Sequence, residues 1–223
     1  MEKVLIDEAI SSFQLDVNPG ENARVKLAAF STFPNVEITV NVHENATFEG
    51  AFADFSGNGG TFVLRVNLLG KGAKATWKSA SICAGAKKVF DTNIIHREGD
   101  TEGLMENYGI VSKNGKLHFK GTSAIEKGAK GAATRQNAKI IIFDPGCDGR
   151  ADPILKIDEN DVKASHGAVV GKLNDEHIFY LCSRGLSPEQ AKRLITLGYI
   201  RPIEVYFDGE LKDRIEAAIE EGL

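Results

Sequence analysis

From Val25 to Gly171 the chain alternates. Apolar residues fall at every second position in Val25-Leu27-Ala29, Val36-Ile38-Val40-Val42, Phe62-Leu64-Val66-Leu68 and Ile140-Ile142. A period of two belongs to strands, and nowhere in this span does a 3.6-residue period persist for three turns. The last alternating run is Val162-Ala164-His166-Ala168-Val170, with glycines at Gly167 and Gly171. After Leu173 the period changes. Asn174 can cap a helix, Asp175 and Glu176 fall in its first turn, and Ile178 and Cys182 share a face four residues apart. Ser187-Pro188-Glu189-Gln190 is a capping box with proline at the first helical position, backed by the apolar stripe Ala191, Leu194 and Ile195. Gly198 is expected to end or bend that helix, and Pro202 to break the chain after it. A last amphipathic helix from about Glu210 puts Leu211, Ile215, Ala218 and Ile219 on one face and stops at Gly222. The chain thus divides into a β body, residues 1–173, and a helical region, residues 174–223.

The alternating segments also recur. Glu21-Asn22-Ala23, Glu44-Asn45-Ala46, Lys71-Gly72-Ala73 and Lys127-Gly128-Ala129 each set a charged residue, then Asn or Gly, then Ala before such a segment. The alanines are 23, 27 and 56 residues apart, the last being twice 28. Asn and Gly tolerate the positive φ of a tight corner. Repeats of this length read as a solenoid or a propeller, and a propeller blade needs about 40 residues. The spacing therefore predicts a β-solenoid, with a β-sandwich as the alternative that pattern alone leaves open. Two short helices cannot bury both of their sides against each other. Their spare faces are expected to dock on the end of the solenoid or on a partner.

Composition narrows the function classes. A chain of 223 residues buries one sizeable core with room for a small appendage. Its 42% hydrophobic and 26% charged content is that of an ordinary soluble protein. A net charge of −4 and the lack of a basic run argue against nucleic-acid binding. The longest apolar run, Ile178–Cys182, is too short to span a membrane, and Met1-Glu2-Lys3-Val4 opens no signal-peptide core. Three cysteines fit a reduced, cytoplasmic setting rather than a disulfide framework. No G-x-x-x-x-G-K-[ST], H-E-x-x-H or C-x-x-C motif occurs, so ATP hydrolysis by a P-loop is not expected. A solenoid hydrolase would cluster carboxylates on one strand face, whereas the dense acidic stretch Asp158–Asp161 lies at a turn.

Histidine and cysteine remain. His166 shares its alternating face with Val162 and Val170, and taken alone it reads as a structural residue before a ligand. Cys182 is either a packing residue at the junction of body and tail or a thiolate ligand. Cys83, after Lys78–Ile82, points to core packing. Cys147, in the turn Asp144–Gly149, is expected to be exposed. A structural hydrogen bond is enough to explain His96. His43, His118 and His177 carry no argument, and Lys163 and Ser165 read as the solvated side of the His166 strand.

The run Asn160-Asp161-Val162-Lys163-Ala164-Ser165-His166-Gly167-Ala168-Val169-Val170-Gly171, followed by Phe179-Tyr180-Leu181-Cys182-Ser183-Arg184-Gly185-Leu186, resembles the core of the SufB/SufD family. These are scaffold proteins of the SUF pathway of iron–sulfur cluster assembly, with the pattern D-D-V-K-C-S-H-G-A-T-V-G, an acidic turn, then F-Y-L-R-S-R-G-I. Gln136-Asn137 before Ile140-Ile141-Ile142, and Asn67-Leu68-Leu69-Gly70-Lys71-Gly72-Ala73, are similar to two further family segments. The likeness runs from about Gly60 to Ile203 and is specific over Lys127–Gly185.

The resemblance implies a mainly β fold, a right-handed parallel β-helix with a small α-helical tail. It also implies a cytoplasmic, non-catalytic scaffold. The partners would be a SufC-like ABC-type ATPase and a second scaffold, as a homodimer or a heterodimer, with no nucleic acid and no membrane. The cargo would be a nascent iron–sulfur cluster. His166 matches the family histidine implicated in cluster formation, with Cys182 and Cys83 as further candidates. Ala164 stands where the family often has cysteine, and Leu181 where the SufB branch has one after F-Y. The ATPase would grip the tail, where Ser187, Ala191, Leu194, Ile195, Leu211 and Ile215 are the candidates. Dimer contacts would involve Ile140, Ile142, Val162 and His166, because Ile140-Ile141-Ile142-Phe143 is apolar on both faces. Bacterial members usually carry an additional N-terminal helical region, which Met1–Asp16 is too short to supply. The alternative is a solenoid kept for protein interaction alone, on which no cluster forms.

Overall fold

The computed structural model describes residues 1–7 and 12–221. Its strands, numbered in chain order, stack into two sheets. One holds β1 (Glu2–Ile6), β3 (Asn22–Ala29), β5 (Thr47–Asp54), β7 (Lys74–Ala84), β9 (Glu102–Ser112), β11 (Ala133–Ile142) and β13 (Lys163–Lys172), in that order. The other holds β2 (Phe13–Val17), β4 (Val36–Val42), β6 (Gly60–Leu68), β8 (Lys87–His96), β10 (Lys116–Ile125) and β12 (Asp148–Ile157), again in chain order. Neighbouring strands are parallel throughout. Each coil lays one strand on each sheet, so the body is a parallel β-helix, and the sandwich alternative falls.

Register corrects the repeat. Asn22, Thr47, Lys74, Glu102, Ala133 and Lys163 occupy one column, so the coils are 25, 27, 28, 31 and 30 residues long. Ala46 and Ala73 are true equivalents, for Lys74 N donates to Ala46 O and Glu102 N to Ala73 O. The matching residues elsewhere are Glu21 and Ala132, not Ala23 and Ala129. The constant feature is the corner just before them, where Asn45, Gly72, Asp100 and Gly131 have φ of 53°, 71°, 55° and 73°. A Cβ at Gly72 would lie 2.4 Å from Asn45 Oδ1, so any other residue there would displace the Asn45 amide as well as take a positive φ.

The interior is aromatic in its middle coils. Phe33, Phe52, Phe62, Phe90, Phe119 and Trp77 are all buried, with Phe62 stacked on Trp77 at 5.4 Å. Towards the C-terminal end the filling becomes smaller and more polar. One inward column reads Val25, Gly50, Trp77, Met105, Gln136, His166.

After the body come α1 (Asp175–Ser183), α2 (Pro188–Ile200), a 3₁₀ turn at Arg201–Tyr206 and α3 (Gly209–Glu221). Asn174 Oδ1 accepts from Glu176 N, and Ser187 and Gln190 form the full capping box. Gly198 does not end α2 but lies in its last turn, and the helix runs on to Ile200 before Pro202. The expected stop at Gly222 lies outside the described residues.

The tail does not dock on the solenoid's end. It lies across the outer face of the seven-stranded sheet, where Ile200, Ile203, Phe207, Ile215 and Ile219 join Ala28, Ala51, Ala53, Ala80, Ile82, Ile110 and Ile141 in a second core. Alanines on the sheet let the helices approach closely. Lys26 adds ion pairs to Glu2 at 2.6 Å and Asp208 at 3.1 Å. This core also accounts for the doubly apolar Ile140–Phe143 segment. Ile141 and Phe143 meet the tail, while Ile140, only 1% exposed, fills the solenoid interior with Ile142 packed against it. Ile140 is therefore not a dimer contact, and β11 is flanked by β9 and β13. Among the described residues no helix is long and apolar enough to cross a membrane.

Candidate functional site

The two ends of the solenoid differ. At the N-terminal end the Lys3 ammonium sits 3.9 Å over the Phe13 ring, and Leu5 and Val17 are buried. At the C-terminal end nothing among the described residues covers the last coil. Ala164, His166, Ala168, Val170 and Lys172, the inward-facing residues of β13, are all exposed, and Val162 at its corner is half-buried.

The two free edges of that coil are unequal. Lys163 N and Leu173 N donate to Ala132 O and Ile142 O, so odd-numbered residues of β13 bond to β11. In a parallel ladder the even-numbered ones then aim their N–H and C=O at the free edge. His166 is one of these. On β12 Asp148 N and Asp158 N donate to Gly115 O and Ile125 O, which turns the odd-numbered residues outward. One of them is Pro153, which has no N–H. Thus β13 offers an unbroken edge and β12 an interrupted one.

Directly above His166 in the column lies Gln136. Its Nε2 donates to Ile154 O of β12 at 2.7 Å, tying the last coil across the interior, while its Oε1 has no protein partner. Ser123 Oγ, Thr134 Oγ1 and His96 Nε2 are likewise buried and unpaired. His96 Nδ1 lies 2.9 Å from Thr101 Oγ1, which itself donates to Glu98 O. Nδ1 therefore carries the proton, and burial pulls the imidazole down to about 4. It is neutral at pH 7.

His166, Cys182 and Cys83 lie on three different elements, β13, α1 and β7. His166 and the end of β13 are six residues apart, about 20 Å of strand. Cys182 follows on α1, half-buried like Ile178 and Leu181, while Phe179 and Tyr180 are 76% and 56% exposed. Among the described residues no three His, Cys, Asp or Glu side chains lie close enough to hold a metal ion. Cys83 is fully buried, with Sγ 3.3 Å from Ala86 O, and burial pushes its thiol above the ordinary range. Cys147 is half-buried against the main core rather than exposed.

Of the tail residues, Ala191 is buried, while Ile215, buried, and Ile195 and Leu211, half-buried, belong to the second core that holds the tail to the body. Ser187 and Leu194 reach solvent, and Leu194 joins Leu197, Arg201, Glu204 and Val205 around a groove of about 520 Å³. Val205, 79% exposed, carried no signal in the sequence.

Sequence reasoning also passed over a buried ion pair. Lys88 Nζ donates to Asp54 Oδ2 at 2.7 Å, and both side chains are fully buried. Ser56 and Ser81 hydroxyls donate to the same carboxylate, each at 2.6 Å, and Lys88 also reaches Ser56 O. Alternation does place Lys88 inside, on the face of Phe90, but its partner is thirty-four residues away.

Residues 7–199 match the family model described as SUF system FeS cluster assembly, SufBD core domain. The iron–sulfur cluster assembly protein SufD of Bacillus subtilis is 34% identical over 157 residues, which are 69% of this chain and 36% of that protein. An iron–sulfur cluster assembly SufBD family protein of Staphylococcus haemolyticus is 29% identical over 72% of this chain and 35% of its own length. A SufBD family protein of Staphylococcus aureus strain USA300 is 31% identical over 60% and 29%. The aligned region thus spans about a third of each relative. The chain belongs to the SufBD core family of the SUF system of iron–sulfur cluster assembly.

Proposed function

We propose that this chain is a non-catalytic scaffold on which a nascent iron–sulfur cluster is assembled, at a seam between the open ends of two solenoids. The observation that carries the reading is His166. It is an exposed imidazole on the inner face of an edge strand, with its own backbone aimed at the free edge. A second copy or a related scaffold, pairing antiparallel through β13, would satisfy that edge. With the two-fold axis at Gly167 or Ala168, the two His166 Cα atoms would lie about 9–15 Å apart. Neutral imidazole is a competent iron ligand, and thiolates such as Cys182 would complete the set from either chain. So few protein ligands hold a cluster loosely, which suits a cargo that must be handed on. His166→Ala should fold and dimerise as the parent does, yet lose the cluster absorption formed on anaerobic reconstitution with iron and sulfide. Undiminished absorption from that variant would make the histidine structural and leave the interaction-only reading.

A SufC-like ATPase is assigned to the outward side of the tail. Leu194 and Val205 are its contacts, because Ala191 and Ile215 are buried within the chain itself. Leu194→Asp with Val205→Asp should abolish co-purification with the ATPase without lowering the melting temperature. Retention of the ATPase at parental strength would move the dock elsewhere.

A further inference from the structure

On the outer face of the seven-stranded sheet, three cations are answered by acids one coil later, and Lys26 by Glu2 one coil earlier and by Asp208 of the tail. Arg24 pairs with Glu49 at 2.8 Å, Lys74 with Glu102 at 3.0 Å and Lys78 with Glu106 at 2.7 Å. In each case the partner is the register-matched residue on the next strand. The pattern stops at β11. Arg135 and Lys139 occupy the same face, but the residues beneath them are Ser165 and Val169. Lys163, on β13, has no following coil at all. No Asp or Glu stands on β11 or β13, and Glu102 and Glu106 are already held. Among the described residues Arg135, Lys139 and Lys163 make no ion pair, and all three are exposed. Arg135 and Lys163 border an open trough of about 710 Å³ that also includes Thr76, Leu104, Ser165 and the paired Lys74 and Glu102, and Lys139 stands four residues further along β11.

We infer that this basic face of the last two coils, on the outer side of β11 and β13 and adjoining both the proposed seam and the tail, is a docking surface for an acidic protein segment. Exposed ion pairs contribute little to fold stability, so three unanswered cations are tolerated there. Complementary charge across an interface chiefly raises the association rate and selects the partner. On a chain of net charge −4 a positive face is a local feature, not a bulk one. Three cations on a flat sheet, with hydroxyls and the half-buried Leu104 between them, suit spaced carboxylates. They do not make the long phosphate-tracking stripe that a duplex requires. The inference stands whether or not a cluster forms at His166.

The probe is a fluorescein-labelled peptide rich in Glu and Asp, titrated against the full chain by anisotropy. Binding should be saturable at low salt and weaken steeply with added salt. Combined Arg135→Glu, Lys139→Glu and Lys163→Glu changes should weaken it by roughly tenfold or more, mostly through slower association. The neutral set Arg135→Gln, Lys139→Gln and Lys163→Gln should give an intermediate loss and guards against a folding effect. Lys87→Glu with Lys116→Glu, exposed cations of the other sheet, should change nothing. Absence of binding at low salt, or equal loss in the control pair, overturns the proposal. So does tighter, equally variant-sensitive binding of duplex DNA or of phosphatidylserine vesicles.

Discussion

His96 shows how one residue ties the fold to pH. Its ordinary value of 6.5 falls to about 4 in the folded chain because the ring is buried with only Thr101 beside Nδ1. The folded state therefore resists a proton that the unfolded chain accepts. Stability is full above about 6.5, declines as pH falls, and levels off below about 4 where both states are protonated. The loss on going from pH 7 to pH 5 should be about 2 kcal/mol. Urea midpoints at the two pH values test this, and His96→Gln should remove most of the difference while carboxylates elsewhere titrate unchanged. A variant as pH-sensitive as the parent would show that His96 is not the titrating group. In β8 the alternation sets His96 and Lys88 on the inner face. What it lacked was the identity of Asp54 and Thr101 as partners, because a side-chain hydrogen bond leaves no period in the chain.

At the scale of elements, the strands and caps were legible because their causes are local. The period of two in β3, β4, β6, β11 and β13 reflects one buried face, and Asn174 and Ser187 cap by reaching two or three residues ahead. Gly198 stays inside the last turn of α2 because tertiary packing outweighs its low helix propensity, worth about 1 kcal/mol. Ile200, fully buried on the sheet, carries α2 past it. The docking of the tail was also not legible. Its landing surface is Ala28, Ala51, Ala53 and Ala80, small residues that look neutral along the chain and become a shelf only when coils stack. Ile203→Ala should cost roughly 2–5 kcal/mol, since it removes a buried side chain at the centre of this contact. Chemical denaturation gives the value, and a cost below about 1 kcal/mol would mean the tail is only loosely seated. Cutting the chain after Gly185 would bare this same shelf. Surface substitutions such as those at Leu194 and Val205 are therefore the cleaner probe of partner binding.

For the whole molecule, the unequal edges of the last coil give a sharp expectation. Ala168→Pro deletes an N–H that faces the free edge, so the monomer should fold and the dimer should not form. Val169→Pro deletes an N–H that bonds to β11 and should destabilise the last coil itself. Sedimentation velocity separates the two, and an Ala168→Pro chain that still dimerises would rule out β13 as the seam. The sequence by itself determined short alternating strands in a repeat followed by capped helices, and through the run around His166 it determined the family and, with it, the parallel β-helix. Both are written in local order, as period, cap and motif. Tertiary structure alone decided the coil lengths and the side of the sheet on which the tail lies. It alone decided that Ile140 is core and His166 is bare, and that the ladder of ion pairs breaks at Arg135. Those depend on which residue lands beneath which after a coil of 25 to 31 residues, a distance over which no local preference acts.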